Sequence, residues 1–419
     1  MVKYGWIPGG GDGGRYSGPE RIPMQKAEKI VPVQKRRRDF GKHEKQGDFA
    51  MLIKNAKVLI GKAFLDADIR FDKTITAIGK LDGPADLDAA GCYVIPGLVD
   101  IHTHGAMGED FSDGKPEGLQ PLADYYAAHG VTSYLATTMT LKEETLTPAM
   151  HAIRDFRPAG GAKCAGVHLE GPFLSYAKRG AQAAENLHKP DAALFHRLNE
   201  ASGGQVKLVT VACEEEGALP FIREISRDCA VSLGHTTADY DTAMAGFAAG
   251  ASHATHLYNG MPSLLHRAPG VIGAAFDAGA SVELICDGLH IHPAVIRTTY
   301  QIFGDRLNLI SDSLRCAGMP DGGYELGGQP IVVKNHKATL LDGTLAGSSI
   351  SLLDAVRNVV GFGLPLAAAV YAAAAAPAQA AGLDAGVLQA GKAADMLVLD
   401  GNLQLKAVFV DGQEQPHRP

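Results

Sequence analysis

Two rhythms of apolar and polar positions run through this chain. Between residues 93 and 312, short apolar runs rich in β-branched residues recur eight times. They lie at 93–102 (YVIPGLVDIH), 131–139 (VTSYLATTM), 164–170 (CAGVHLE), 206–212 (VKLVTVA), 230–235 (AVSLGH), 252–258 (SHATHLY), 282–288 (VELICDG) and 307–312 (LNLISD). Each is separated from the next by a stretch long enough for a helix. Continuous apolar runs mark strands buried on both faces, and their alternation with helical segments predicts parallel strands joined by crossover helices. Eight such units predict an α/β fold with a (β/α)8 TIM barrel over residues 93–324.

Outside that region the period is two. Residues 52–60 and 67–78 near the start, and Pro330–Lys334, Asp395–Asp400 and Ala407–Gly412 near the end, alternate like half-buried strands. They predict one small β domain built from both chain ends, 51–92 plus 325–419, with segment 344–385 packing on the barrel. The Ala-rich run 367–381 predicts a helical pair broken at Pro377. Residues 1–50 carry no sustained period and read as a flexible extension.

Charge separates that extension from the rest. Its eleven Lys/Arg and six Asp/Glu give +5, leaving −12 for the remainder of a chain whose total is −7. The run Lys35-Arg36-Arg37-Arg38 reads more simply as a solvated charge run than as a polyanion-binding tail. The negative total argues against nucleic acid as a partner. No apolar run approaches the ~20 residues that span a bilayer, and the start lacks the apolar core of a signal peptide. Six cysteines without a C-x-x-C pair, Cys92, Cys164, Cys213, Cys229, Cys286 and Cys316, suit a reducing cytoplasm.

The chemistry-bearing residues cluster where the apolar runs end. His102-Thr-His104 places two imidazoles on one face of a strand, within reach of one metal. Glu170 ends the third run just before Gly171-Pro172, placed to ligate one metal or bridge two. His168, two residues earlier, either joins it or acts as an outer donor, the second reading being preferred. His235 and His256 end consecutive runs and are placed to share an ion, for which neutral imidazole suits Zn²⁺ or Fe²⁺. Asp312 reads alone as a helix N-cap, and in company as the base that takes a proton from a metal-activated water. His290, in Cys-Asp287-Gly-Leu-His, is placed to polarise a carbonyl. Bland explanations at five strand ends at once are harder to sustain than one shared site.

The strings PGLVDIHTHG, HLEGPFL, SLGHTTADY, ATHLYNGMP, DGLHIHP, LISDS and GTLAGS together resemble the N-acetylglucosamine-6-phosphate deacetylases of the amidohydrolase superfamily, over about residues 51–412. The resemblance implies a barrel with a small β-sandwich domain, usually dimeric, that hydrolyses the acetamide of N-acetylglucosamine 6-phosphate to glucosamine 6-phosphate and acetate. It implies Glu170, His235 and His256 as primary metal ligands, with His102 and His104 holding a second ion in some members. Asp312 would be general base and acid, and His290 would bind the acetyl carbonyl. Asn259 and Gly260 would contact the sugar phosphate, and Arg267 would reach a phosphate across a homodimer interface, where its fork suits the dianion.

The chain also departs from that pattern. Gln182 stands where some members have a histidine, so one sugar contact changes its chemistry. Segment Arg315–Pro320 varies among members, and the first fifty residues have no counterpart. A cyclic amidase or deaminase is the nearest rival, but a glutamate rather than a lysine holds the apparent bridging place. The same residues would also suit an N-acetylgalactosamine 6-phosphate deacetylase or a non-catalytic sugar-phosphate-binding barrel.

Overall fold

The apolar runs between residues 98 and 310 become the strands of one parallel barrel, because each is covered on both faces. A computed structural model describes residues 50–417. It contains β1 (Leu98–Thr103), β2 (Val131–Thr138), β3 (Lys163–Glu170), β4 (Val206–Val211), β5 (Ala230–Leu233), β6 (His253–Ala254), β7 (Ser281–Ile285) and β8 (Leu307–Ile310). Their order in the sheet is their order in the chain. Across the seam the Asp312 N–H donates to the His102 carbonyl at 2.9 Å, so the barrel is nearly closed. Residues 1–49, with the basic run and Trp6, lie outside the described residues.

Eight helices alternate with these strands: α1 (Pro116–Ala128), α2 (Glu143–Asp155), α3 (Ala192–Ala201), α4 (Ala218–Ile225), α5 (Tyr240–Ala249), α6 (Gly270–Asp277), α7 (Pro293–Phe303) and α8 (Leu352–Gly361). Alternate strand residues divide between two cores. Leu98, Tyr134, Val209 and Val211 pack with the helices. Val99, Ile101, Leu135, Leu208, Ile285 and Ile310 gather separately with Ala378 and Ala381. This is the period of two expected when both faces of a strand are buried. No helix of the described residues is long and apolar enough to cross a membrane.

The Ala-rich run forms α9 (Leu366–Ala373) and α10 (Ala375–Ala380). The break falls at Ala374, with φ −133° and ψ −74°, and not at Pro377. Pro377 is the third residue of α10. Backbone N–H groups in a first turn have no intrahelical acceptor, so proline there is tolerated.

Both chain ends build a second eight-stranded sheet. Its order is Gln413–Gln415, Leu405–Val410, Met396–Leu399, Tyr93–Pro96, Met51–Ile60, Ala63–Phe71 and Ile75–Gly79, with Leu87–Asp88 beside Met51–Ile60. Ile53, Val58, Ile69, Phe71, Val94, Met396 and Phe409 form its own core. The strand expected over 67–78 is split by a turn, in which Asp72 accepts the Thr74 N–H at 2.8 Å. Tyr93–Pro96, read with the first barrel strand, belongs to this sheet instead. Gly97 separates the two: a Cβ there would sit 2.1 Å from the Thr132 hydroxyl.

Gln329–Lys334 also changes place. It pairs with Gly322–Leu326 and Lys337–Leu340 in a three-stranded antiparallel sheet between β8 and α8. Leu326, Ile331 and Val333 bury against Met139, Leu314 and Cys316, just past the ends of β2 and β8. Alternation shows that a strand is half covered, but not what covers it.

Lys163, at the start of β3, ties the barrel to the two-ended sheet. Its ammonium lies 2.6 Å from Asp395 and 2.9 Å from Asp411. The Asp395 side chain is 7% exposed and that of Lys163 32%. Lys163→Met should therefore strand a buried carboxylate. We expect a loss of about 2 kcal/mol, below the ~3–5 kcal/mol of a fully buried pair because the lysine is partly solvated. The urea unfolding midpoint measures it, and Asp411→Asn should shift it less.

Candidate metal centre

Each histidine and acid expected to ligate a metal, and the expected base Asp312 with them, leaves a strand at the same rim. β1 delivers His102 and His104, β3 ends on Glu170, β5 runs through Gly234 to His235, β6 through Thr255 to His256, and β8 through Ser311 to Asp312. The ladder between β1 and β2 slips between Asp100 and Thr103, beside His102. Such irregularities re-aim side chains near sites. His235, His256 and Asp312 all adopt left-handed backbone, with φ of 47°, 26° and 47°. Gly234 admits the close packing that precedes His235, since a Cβ there would lie 2.7 Å from Thr255 Cβ.

Four imidazoles face one carboxylate. Glu170 Oε1 lies 3.3 Å from His102 Nε2, 3.1 Å from His235 Nε2 and 3.0 Å from His256 Nε2. Glu170 Oε2 lies 3.2 Å from His104 Nε2. Asp312 Oδ1 approaches His104 Nε2 at 3.4 Å and His102 Nε2 at 3.6 Å. All six side chains are buried.

Two of the rings are aimed by protein acceptors. His102 Nδ1 donates to Glu283 at 2.9 Å, and His235 Nδ1 donates to the Lys178 carbonyl at 2.8 Å. Each donation leaves the Nε2 lone pair pointing at the cluster. His168 is different. Its Nδ1 donates to the Ile101 carbonyl at 3.2 Å and its Nε2 accepts from Thr210 at 2.8 Å, so no lone pair remains for an ion. Burial, and then the His102 charge, push it down to about 3.

The electrostatics call for positive charge at the rings. Burial opposes the charge of Glu170, but His102 and His235 outweigh it and hold the carboxyl well below its ordinary range. Burial also opposes a charged His104, yet Asp312 and Glu170 push it up to about 9. Asp312 is held low, with burial opposed by His102 and His104.

The donor set fits a divalent metal. His102–His104–Glu170 and Glu170–His235–His256 each offer three ligand atoms within 4.8 Å of one another, and they share Glu170. His235 Nε2 and His256 Nε2 are only 3.0 Å apart. Such a buried pair either shares a proton or, with both lone pairs free, needs a cation against them, which a bound metal supplies. His102 Nε2 is buried without a hydrogen-bond partner, as a ligand atom would be.

The remaining predicted residues stand around this cluster. At the end of β7, Asp287 accepts the His290 ring at 2.7 Å and the backbone N–H groups of Leu289 and His290. Burial would raise the Asp287 carboxyl, but His290 holds it low. Asn259 Nδ2 reaches the carbonyls of His256 and Leu257, while the Gly260 carbonyl accepts the Thr236 N–H. Arg267 is exposed on a turn closed by Leu265 and Ala268, with no ion pair among the described residues. Gln182 is buried, with its amide on Glu170.

Sequence pattern alone does not single out Glu283. It is fully buried in β7, holds His102, and also accepts from His253 Nε2 at 3.1 Å and the His256 N–H at 3.1 Å. His102 and His253 outweigh its burial and hold it well below its ordinary range. A lone acid inside the apolar run VELIC is the available signal, since a buried strand carboxylate needs partners.

Residues 93–416 match the family model described as Amidohydrolase family. The chain belongs to that family. This amidohydrolase is 35% identical over 370 residues to N-acetylglucosamine-6-phosphate deacetylase of Vibrio furnissii, which covers 85% of this chain and 93% of that protein. It is 38% identical over 325 residues to N-acetylgalactosamine-6-phosphate deacetylase of Escherichia coli O157:H7, covering 76% and 86%. Among solved structures, N-acetyl-D-glucosamine-6-phosphate deacetylase from Mycobacterium smegmatis superposes with a TM-score of 0.83 at 34% identity, covering 87% of this chain and 99% of that one.

Removing divalent cations with a chelator should lower the thermal unfolding midpoint of this amidohydrolase, and added Zn²⁺ should restore it. The linkage is about 2.7 kcal/mol at a free ion concentration a hundred times Kd. Glu283→Gln should weaken zinc binding about 10–100-fold, because His102 loses its charged anchor. Zinc titration against a chromophoric competitor measures this, and an unchanged affinity would refute the role given to Glu283.

Proposed function

We propose that this amidohydrolase removes the acetyl group of an N-acetyl amino sugar 6-phosphate, with N-acetylglucosamine 6-phosphate as the leading substrate and glucosamine 6-phosphate and acetate as products. The observation that carries this reading is Glu170 ringed by four imidazoles, with Asp312 facing two of them. The relatives named above support the substrate class. One of them acts on the galacto isomer, which is the second candidate substrate.

In this reading Glu170, His235 and His256 would hold the primary ion, and His102 and His104 would hold a second where one is bound. Nitrogen-rich sets with one carboxylate favour zinc or iron over magnesium. A bound divalent cation would supply Lewis acidity, making a water acidic enough to lose a proton near neutral pH and drawing charge from the amide carbonyl. Asp312 accepts the proton of the attacking water, for which its low-held carboxylate is in the right form. His290, its Nδ1 fixed by Asp287, presents Nε2 to the acetyl oxygen as negative charge develops there. A C–O bond forms, and the C–N bond breaks as Asp312 returns the proton to the leaving amine.

Specificity for the phosphate falls to Asn259, Gly260 and Arg267. The side chain of Arg267 extends from the exposed patch of Leu264 and Leu265. A second copy covering that patch would carry Arg267 into the neighbouring site, making the enzyme a homodimer. Six unpaired cysteines suit work in the cytoplasm.

Acetate release from N-acetylglucosamine 6-phosphate by the purified protein tests the proposal, and its absence would favour a non-catalytic sugar-phosphate-binding barrel. Asp312→Asn should bind metal normally yet lose about 10²–10⁴-fold in kcat. Arg267→Ala should lose about 10–100-fold in kcat/KM on the phosphorylated sugar, the worth of a charge-assisted contact, with little change on the unphosphorylated one. Equal losses on both sugars would remove Arg267 from phosphate recognition.

A further inference from the structure

The Gln182 side chain is committed at both ends. Its Nε2 donates to Glu170 Oε2 at 2.6 Å, and its Oε1 accepts the Thr140 N–H at 2.8 Å. Only one orientation of the amide satisfies both partners, because a carboxylate only accepts and a backbone N–H only donates. The residue is 4% exposed. Thr140 closes the arrangement by donating its hydroxyl to the Glu170 carbonyl at 3.2 Å. One residue before Gln182, the Ala181 carbonyl accepts Gln329 Nε2 from the three-stranded sheet at 2.6 Å.

A glutamate's last torsion is broad, so packing alone does not fix how its two oxygens are turned. In Glu170 that torsion decides which oxygen faces which rings. Oε1 serves His102, His235 and His256, and Oε2 serves His104. The amide of Gln182 is the directed bond that sets it. An amide carries no charge at any ordinary pH, so it holds the carboxylate without competing for its negative charge.

We propose that Gln182 is a positioning residue for the metal-binding carboxylate rather than a sugar contact, and that the three-stranded sheet steadies it through Gln329. This rests on the reading that the cluster holds a divalent cation.

The test compares wild type with Gln182→Met, which keeps volume but removes the donor, and with Gln329→Ala. Zinc ion is titrated into the chelated, dialysed protein, and KM and kcat are then measured at saturating zinc. Gln182→Met should bind zinc about 10–100-fold more weakly. Excess zinc should restore its kcat, with KM for the sugar phosphate near that of wild type. Gln329→Ala should move zinc affinity the same way by less. Wild-type zinc affinity in Gln182→Met, together with a raised KM, would overturn the proposal in favour of a sugar contact. If Gln182→Met does not fold, Gln329→Ala decides, and unchanged zinc affinity there overturns it. A wild-type protein that takes up no zinc would instead overturn the metal reading itself.

Discussion

A carboxylate taken out of water is unfavourable unless donors or positive charge surround it, and the rim of this barrel is built around one such group. Glu170 is approached by the Nε2 atoms of His102, His104, His235 and His256 and by the amide of Gln182. Those nitrogens come from three other strand ends and one loop. None of them has a reason to be buried at this point without the acid, and the acid could not be buried without them. The barrel contributes what a single helix or hairpin cannot: several strand ends pointing at one axis while the interior stays apolar.

Around this centre lies a second layer that converts rough convergence into aim. Glu283 bonds the His102 ring and the His256 backbone, so one buried acid steadies ligands from two strands. The Lys178 carbonyl fixes His235 from the loop after β3. At β7 the pair Asp287–His290 has the same logic on a smaller scale, an acid selecting the face that an imidazole shows. Each acid here acts on chemistry one bond removed from where it sits.

Much of this is legible in the chain. Strand positions follow from apolar runs between helical spacers, and the ligands follow from where those runs stop. Sequence periodicity fails where the same pattern serves two purposes. Tyr93–Pro96 is as apolar as the barrel strand it precedes, and only its pairing with Met51–Ile60 and Met396–Leu399 shows where one sheet ends. Gln329–Lys334 alternates like any half-covered strand, so its partner sheet is not readable. Glu283 is hidden because its partners, His102 and His253, lie far from it in sequence and meet it only in the closed barrel. Gln182 is visible as a departure from a family pattern, but its bond to Glu170 depends on how a loop folds back.

The left-handed backbone at His235, His256 and Asp312 constrains how this centre can drift during evolution. Non-glycine residues in that region carry strain of about 1–3 kcal/mol, which the surrounding fold must outweigh. Histidine tolerates this region better than most side chains, and so, among the other side chains able to hold an ion, do asparagine and aspartate. Both bring oxygen, the donor preferred by magnesium, manganese and calcium. The substitutions easiest on the main chain at the two histidines are thus those that would carry the socket away from soft, nitrogen-loving ions and toward hard ones.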